Sequence, residues 1–123
     1  MTIKGISSMA TRQVLAELTQ AFTQQSGIAV DMVSLGGVDA AKRVHAGEAF
    51  DVVILGSDAI DKLIASGHAH AGSRVDLVRS GVAVAVRKGA SLPDISSEEA
   101  VKQAVLAAPS ISYSTGPSGV ALA

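Results

Sequence analysis

The sequence predicts an α/β fold on a largely parallel sheet, and three observations carry that expectation. Short β-rich runs alternate with helix-length amphipathic stretches through residues 3–66. The run Val52-Val53-Ile54-Leu55 is continuously apolar, as in strands that parallel sheets cover on both faces. Gly27, Gly47 and Gly67 close the three helical stretches, and glycine is the usual helix stop. With 48% hydrophobic and 17% charged residues among 123, the chain has apolar surface for one domain with a core, and disorder is not expected.

Taken in order, residues 3–7 read as a weak first strand. Residues 10–25 place Val14, Leu15, Leu18, Ala21 and Phe22 at helical spacing. Residues 28–35 read as a second strand, Gly36-Gly37 as a loop, and 38–46 as a short helix. Residues 50–55 form the third strand, Ser57-Asp58 a helix N-cap, and 59–66 its helix. Strand and helix repeated three times predict a parallel sheet with right-handed crossovers. After Gly72 the pattern changes. Residues 74–78 and 82–87 read as extended, separated by Ser80-Gly81, and Leu92-Pro93-Asp94 as a turn. Ser96-Ser97-Glu98-Glu99 starts a helix with acids in its first turn, continued by 100–108. Residues 110–114 read as a strand, and Gly116-Pro117-Ser118-Gly119 opens a last helix that stops at Ala123 after about one turn, too short to stand alone. The expectation is a truncated chain, or one that a second copy completes.

Composition narrows the function classes. With no cysteine, disulfides, thiolate metal sites and a cysteine nucleophile are excluded. Net charge is −1 and no basic stripe joins an aromatic platform, so nucleic acid is not an expected partner. No apolar run approaches the roughly 18 residues of a membrane span. Met1-Thr2-Ile3-Lys4 lacks the charged start, apolar run and cleavage site of a secretory leader, which leaves periplasmic and cytoplasmic locations both open.

The order of these pieces resembles the molybdate-type bacterial solute-binding proteins, the periplasmic receptors of ABC importers. The matching stretches are Ser7-Ser8-Met9-Ala10, Gly36-Gly37-Val38-Asp39, and above all the block AGEAFDVVILGSD at residues 46–58. Residues 74–88 look like that family's crossover into a second lobe, and residues 113–119 like its strand–loop–helix ligand segment. The resemblance covers essentially the whole chain but roughly the first half of a family member. It implies a periplasmic binding protein type 2-like architecture: a parallel-rich three-layer α/β lobe at residues 1–80, then the crossover and incomplete start of a second α/β lobe at 81–123. It also implies a small anionic solute clamped between lobes, an ABC transporter permease as partner, and a periplasmic location.

The site follows from strand–loop–helix chemistry. In open α/β sheets ligands sit beyond the carboxyl ends of the strands. Helix N-termini there offer unpaired N–H groups and a positive dipole end to an anion, and Ser and Thr hydroxyls add neutral donors. The candidate ligand residues are Ser7, Ser8, Met9 and Ala10 on the first loop, Gly36 and Gly37 on the second, Ser57 on the third, and Ser114, Thr115, Pro117, Ser118 and Gly119 on the last. Each has a plainer reading. Ser7 and Ser8 also suit a hydroxyl turn, Gly36-Gly37 a turn needing positive φ, and Ser57 an N-cap alone. Ala10 and Gly36-Gly37 stand where molybdate binders commonly carry serines, so a small organic acid is as plausible a solute as an oxyanion.

Other patterns are weaker. His68-x-His70 lacks a supporting carboxylate, and His45 stands apart, so no metal is expected. Asp58 and Asp61 complement a helix dipole better than they suggest acid–base work. Gly116-Pro117-Ser118-Gly119 matches neither a nucleophile elbow nor a phosphate loop. Lys42-Arg43 could steer anions or face solvent, and Arg79 could lie near the hinge. The leading expectation is therefore a solute-binding protein without cofactor that is not an enzyme. Behind it stand a cytoplasmic ligand-sensing module and an enzyme reusing the fold. Exposed edges of a half-built second lobe also predict a homodimer through an exchanged segment.

Overall fold

A computed structural model describes residues 1–114, Gly116 and Gly119 of the chain. Strand β1 (Thr2–Ser8) runs into a 3-10 turn (Met9–Thr11) and helix α1 (Arg12–Ser26). Strand β2 (Ala29–Leu35) feeds α2 (Gly37–His45), strand β3 (Val52–Ile54) feeds α3 (Ser57–Ala65), and α4 (Glu98–Ala107) follows much later. The strands form one sheet in the order β2-β1-β3, all parallel. β1 pairs with β2 from Thr2↔Ala29 to Ser8↔Leu35, and with β3 from Gly5↔Val52 to Ser7↔Ile54. The expected α/β class with a parallel sheet is what forms.

Alternation along the strands divides their side chains between two faces. Ile6 and its same-face neighbours Leu35 and Val53 meet α2 and α3, where Ala40, Val44 and Leu63 complete the buried core and Phe50, Leu55 and Ile60 pack around it. Ile3, Val30, Met32, Val52 and Ile54 point to the opposite face, toward Leu15, Leu18 and Phe22 of α1, around an apolar hollow of about 240 Å³. Leu15 is buried there, whereas Leu18, Phe22 and Val52 remain exposed. Gly5 allows this packing: a Cβ at that position would stand 2.5 Å from Met32 Cε.

The helix stops behave as expected. Gly27, Gly47 and Gly67 all take left-handed conformations, with φ of 73°, 87° and 79°. Several starts differ. α1 begins at Arg12 because the 3-10 turn intervenes, and Gly37 is the first residue of α2 and not a loop residue. Neither Gly36 nor Gly37 has positive φ, which removes the turn reading of that pair. Ser57 is likewise not the N-cap of α3. Gly56 holds that place, and Ser57 is already helical.

The chain divides into two compact units. One comprises Met1–Asp76 with the described residues from Ser114 onward, and the other is Leu77–Tyr113. Within the second unit, Ser97 caps α4 as expected, its Oγ accepting the Ala100 N–H at 3.1 Å. The strands expected at 74–78, 82–87 and 110–114 do not form among the described residues. Alternating valines such as Val82, Val84 and Val86 favour extension, but a strand exists only when a neighbouring strand takes up its N–H and C=O groups. Here they stay exposed and unpaired in a sheet sense.

Candidate functional site

Three parallel strands end at one edge of the sheet, and each is followed at once by a helical segment. Adjacent strands lie about 4.8 Å apart, so the three helical starts stand side by side beyond Ser8, Leu35 and Ile54. None carries a side-chain cap. Ser8, Thr11, Gly36 and Gly56, the residues ahead of the 3-10 turn, α1, α2 and α3, make no capping hydrogen bond, in contrast to Ser97 on α4. The first-turn N–H groups are therefore left to solvent or to a ligand.

The starts differ in charge. α2 and α3 carry Asp39 and Asp58 in their first turns, and Asp39 Oδ2 lies 3.8 Å from where a Cβ on Gly36 would be. α1 has no acid in its first turn and opens on Arg12. A cation at this end opposes the helix dipole, so α1 presents the most electropositive of the three starts. Arg12 lines a hollow of about 660 Å³ with Met9, Ala16, Thr19, Asp31, Met32 and Ser34. Thr11, next to Arg12 in the sequence, has its Oγ1 buried without a hydrogen-bond partner among the described residues.

The sequence-selected residues fall into distinct groups. Ser7 is fully buried. Its Oγ donates to the Ser8 carbonyl at 3.0 Å and lies 2.7 Å from Ser34 Oγ. Either hydroxyl of the Ser7–Ser34 pair can donate, and the pair pins the ends of β1 and β2 together. Ser8 is half-buried, and Met9 and Ala10 are exposed on the 3-10 turn. Gly36 and Gly37 frame the start of α2, and no atom lies within 4 Å of where a Cβ on Gly56 would stand. Backbone approach by a ligand is thus unobstructed at Gly56, next to Ser57. Ser114 is exposed, and a Cβ on Gly119 would collide with its carbonyl. Thr115, Pro117 and Ser118 lie outside the described residues.

Thr11, Arg12 and Ser34 were not singled out by sequence reasoning. Arg12 was detectable: a cation at the first position of a helix, directly after a serine-rich loop, contradicts the usual charge preference. Ser34 required the strand register.

The remaining charges lie elsewhere. Arg43 is in the last turn of α2, paired with Glu48 through Nε at 2.7 Å and through NH2, and stacked 5.5 Å over Phe50. The Glu48 hydrogen bond raises the Arg43 pKa and the same contact lowers that of Glu48. Arg43 is therefore engaged at the far end of its helix from the loops. Asp61 pairs with Arg74 at 3.3 Å. No group of three or more metal-ligating side chains gathers among the described residues, and no helix there is long and apolar enough to cross a membrane.

Comparison with known proteins adds two findings. A family described as bacterial extracellular solute-binding protein matches residues 3–123. A Pseudomonas protein named aconitate isomerase is 39% identical over 126 aligned residues, covering 98% of this chain. The chain spans about half of that curated relative, 48% of its length. No solved structure matches. The expectation that the chain is not an enzyme is overturned by this relative, whose name denotes a catalyst.

Proposed function

The chain belongs to the bacterial extracellular solute-binding protein family, and from that premise we propose that it supplies one wall of a cleft for a small organic polyacid. The observation that carries this reading is the row of uncapped helix starts at one sheet edge, the first of them bearing Arg12. Carboxylates accept from backbone N–H groups and from a guanidinium fork. A tricarboxylate could engage more than one start at once. The relative's name favours such an acid over molybdate, as does the scarcity of free hydroxyls: Ser7 is consumed by Ser34.

In the whole protein the bound acid would be isomerised, as the relative's name suggests. A second reading, carried by the family match, is delivery of the acid to the permease of an ABC importer from the periplasm. Residues 1–80 would then be a first lobe and 81–123 the way into a second, with closure driven by ligand contacts to both. Pairing of two copies through the segment after Gly81 belongs to the same proposal.

The test uses the full-length protein. Calorimetric titration with trans-aconitate, cis-aconitate, citrate, molybdate and sulfate should show binding of the carboxylates alone, and proton NMR should show aconitate isomers interconverting. Arg12→Gln should weaken carboxylate binding about 10- to 100-fold, the worth of one charge-assisted hydrogen bond. Oxyanion binding without carboxylate binding would overturn the substrate class. Carboxylate binding without turnover would favour delivery.

A further inference from the structure

His45 and His68 meet edge to face, with ring centroids 4.8 Å apart and ring planes 66° from one another. We propose that this pair binds a single divalent transition-metal ion of the zinc or copper class, with water completing the coordination shell. The site lies at the C-terminal ends of α2 and α3 and is independent of the polyacid reading.

Backbone geometry places both rings. At the end of α3, Gly67 N–H bonds to Ile64 O at 3.1 Å and His68 N–H to Leu63 O at 2.9 Å. At the end of α2, Gly47 N–H bonds to Val44 O at 3.0 Å and Glu48 N–H to Arg43 O at 3.3 Å. Both are the paired bonds of a Schellman stop. His45 is the last residue of α2 and His68 the residue after the left-handed Gly67, so neither ring hangs from a loose loop.

Hydrogen bonding anchors one ring. Ser66 Oγ lies 2.8 Å from His68 Nδ1 and also reaches the Leu63 carbonyl at 3.2 Å; when its proton goes to that carbonyl, the ring is the donor. In that tautomer Nε2 keeps its lone pair for a metal. This is the arrangement in which an outer hydroxyl orients a metal-binding imidazole. The His45 ring makes no hydrogen bond among the described residues, so its nitrogens are not committed elsewhere.

The separation suits one shared ion. With nitrogen–metal bonds of about 2.0–2.1 Å, two imidazoles subtending about 90–110° at an ion have centroids about 4.5–5.2 Å apart. Imidazole is the donor that zinc, copper and nickel favour, while magnesium and calcium prefer oxygen. Two helix C-termini add partial negative charge. Lys42, Lys62 and the Glu48-paired Arg43, in the same last turns, work against it, so the imidazoles must carry the affinity.

The experiment titrates the protein with zinc chloride and, separately, copper sulfate, by calorimetry and by NMR of the three histidine rings. One equivalent should bind saturably, and copper should broaden the His45 and His68 signals before those of His70. His45→Ala and His68→Ala should each abolish saturable binding, Ser66→Ala should weaken it about tenfold, and His70→Ala should leave it unchanged. No saturable binding by the wild-type protein, or broadening that begins at His70, would overturn the site. So would binding that survives His45→Ala or His68→Ala. The wild-type NMR arm decides the matter even where a variant folds poorly.

Discussion

Leu63 shows how much a single side chain carries in this chain. It projects from α3 into the core beside Ile6, Ala40 and Val44 with no solvent exposure, one of five buried hydrophobic residues among those described. Truncation to alanine removes apolar burial and leaves a cavity in a core with few neighbours to spare. Leu63→Ala should cost about 2–5 kcal/mol, read as a lower urea midpoint with an unchanged slope. A midpoint within error of wild type would mean that the core is not where the packing places it. Two carboxylates make a second expectation. Asp94 accepts from Ser96 Oγ and, secondarily, from the Ser96 N–H, and Glu48 accepts from Arg43; both pKa values are lowered. A carboxyl whose folded pKa lies below its unfolded one stabilises the fold fully above the unfolded value, and that contribution is lost as pH falls through the folded value. Carbon-13 titration should find both groups protonating below the ordinary Asp and Glu ranges. An ordinary midpoint for either would remove its hydrogen bond from solution. At this scale the sequence was partly legible. Ser7 was visible as a serine near a strand end, but that it faces inward onto Ser34 depends on a partner 27 residues away.

Among the elements, the ones legible from sequence are those whose signals are local. Helical spacing at Val14, Leu15, Leu18 and Phe22, the glycine stops and the Ser97 cap all act within a turn of chain, and α1, α2, α3 and α4 follow them. Starts were less legible than stops, because Gly36 and Gly56 cap by conformation alone and leave no side-chain signature. Strands after Gly72 were misread because alternation reports a preference and pairing is a property of the neighbour. The uncapped starts give a discriminating variant. Gly56→Asp would put a carboxylate at the N-cap of α3, where φ −56° and ψ 147° suit any residue and no atom stands within 4 Å. It should stabilise the helix by up to about 1 kcal/mol while competing with an anionic ligand for the same N–H groups. Thermal melting of the full-length protein should rise or hold, and carboxylate affinity should fall. Undiminished affinity would place the ligand away from α3.

For the whole chain, the telling quantity is how little apolar surface is covered. Leu92 is 87% exposed, Val75 84% and Leu106 68%, and on the α1 face of the sheet Leu18, Phe22 and Val52 border an open apolar hollow. Apolar side chains grouped around an open hollow, as Leu18, Phe22 and Val52 are, mark a place where other polypeptide packs. That surface could be met by another copy of this chain or by polypeptide of the kind that makes the relative about twice as long. The two differ in their concentration dependence. Alone, the 123-residue chain should bind a hydrophobic dye such as ANS and gain apparent mass in light scattering as its concentration rises. Fusion to the part of the relative that this chain does not match should suppress both. The physical reason is that the free energy of burying Leu18, Phe22 and Val52, about 25 cal/mol for each Å² of apolar area, is available to whichever surface reaches them first, and a covalently attached one has the higher effective concentration. A dye-silent monomer at every concentration would show that these side chains are covered within the chain itself.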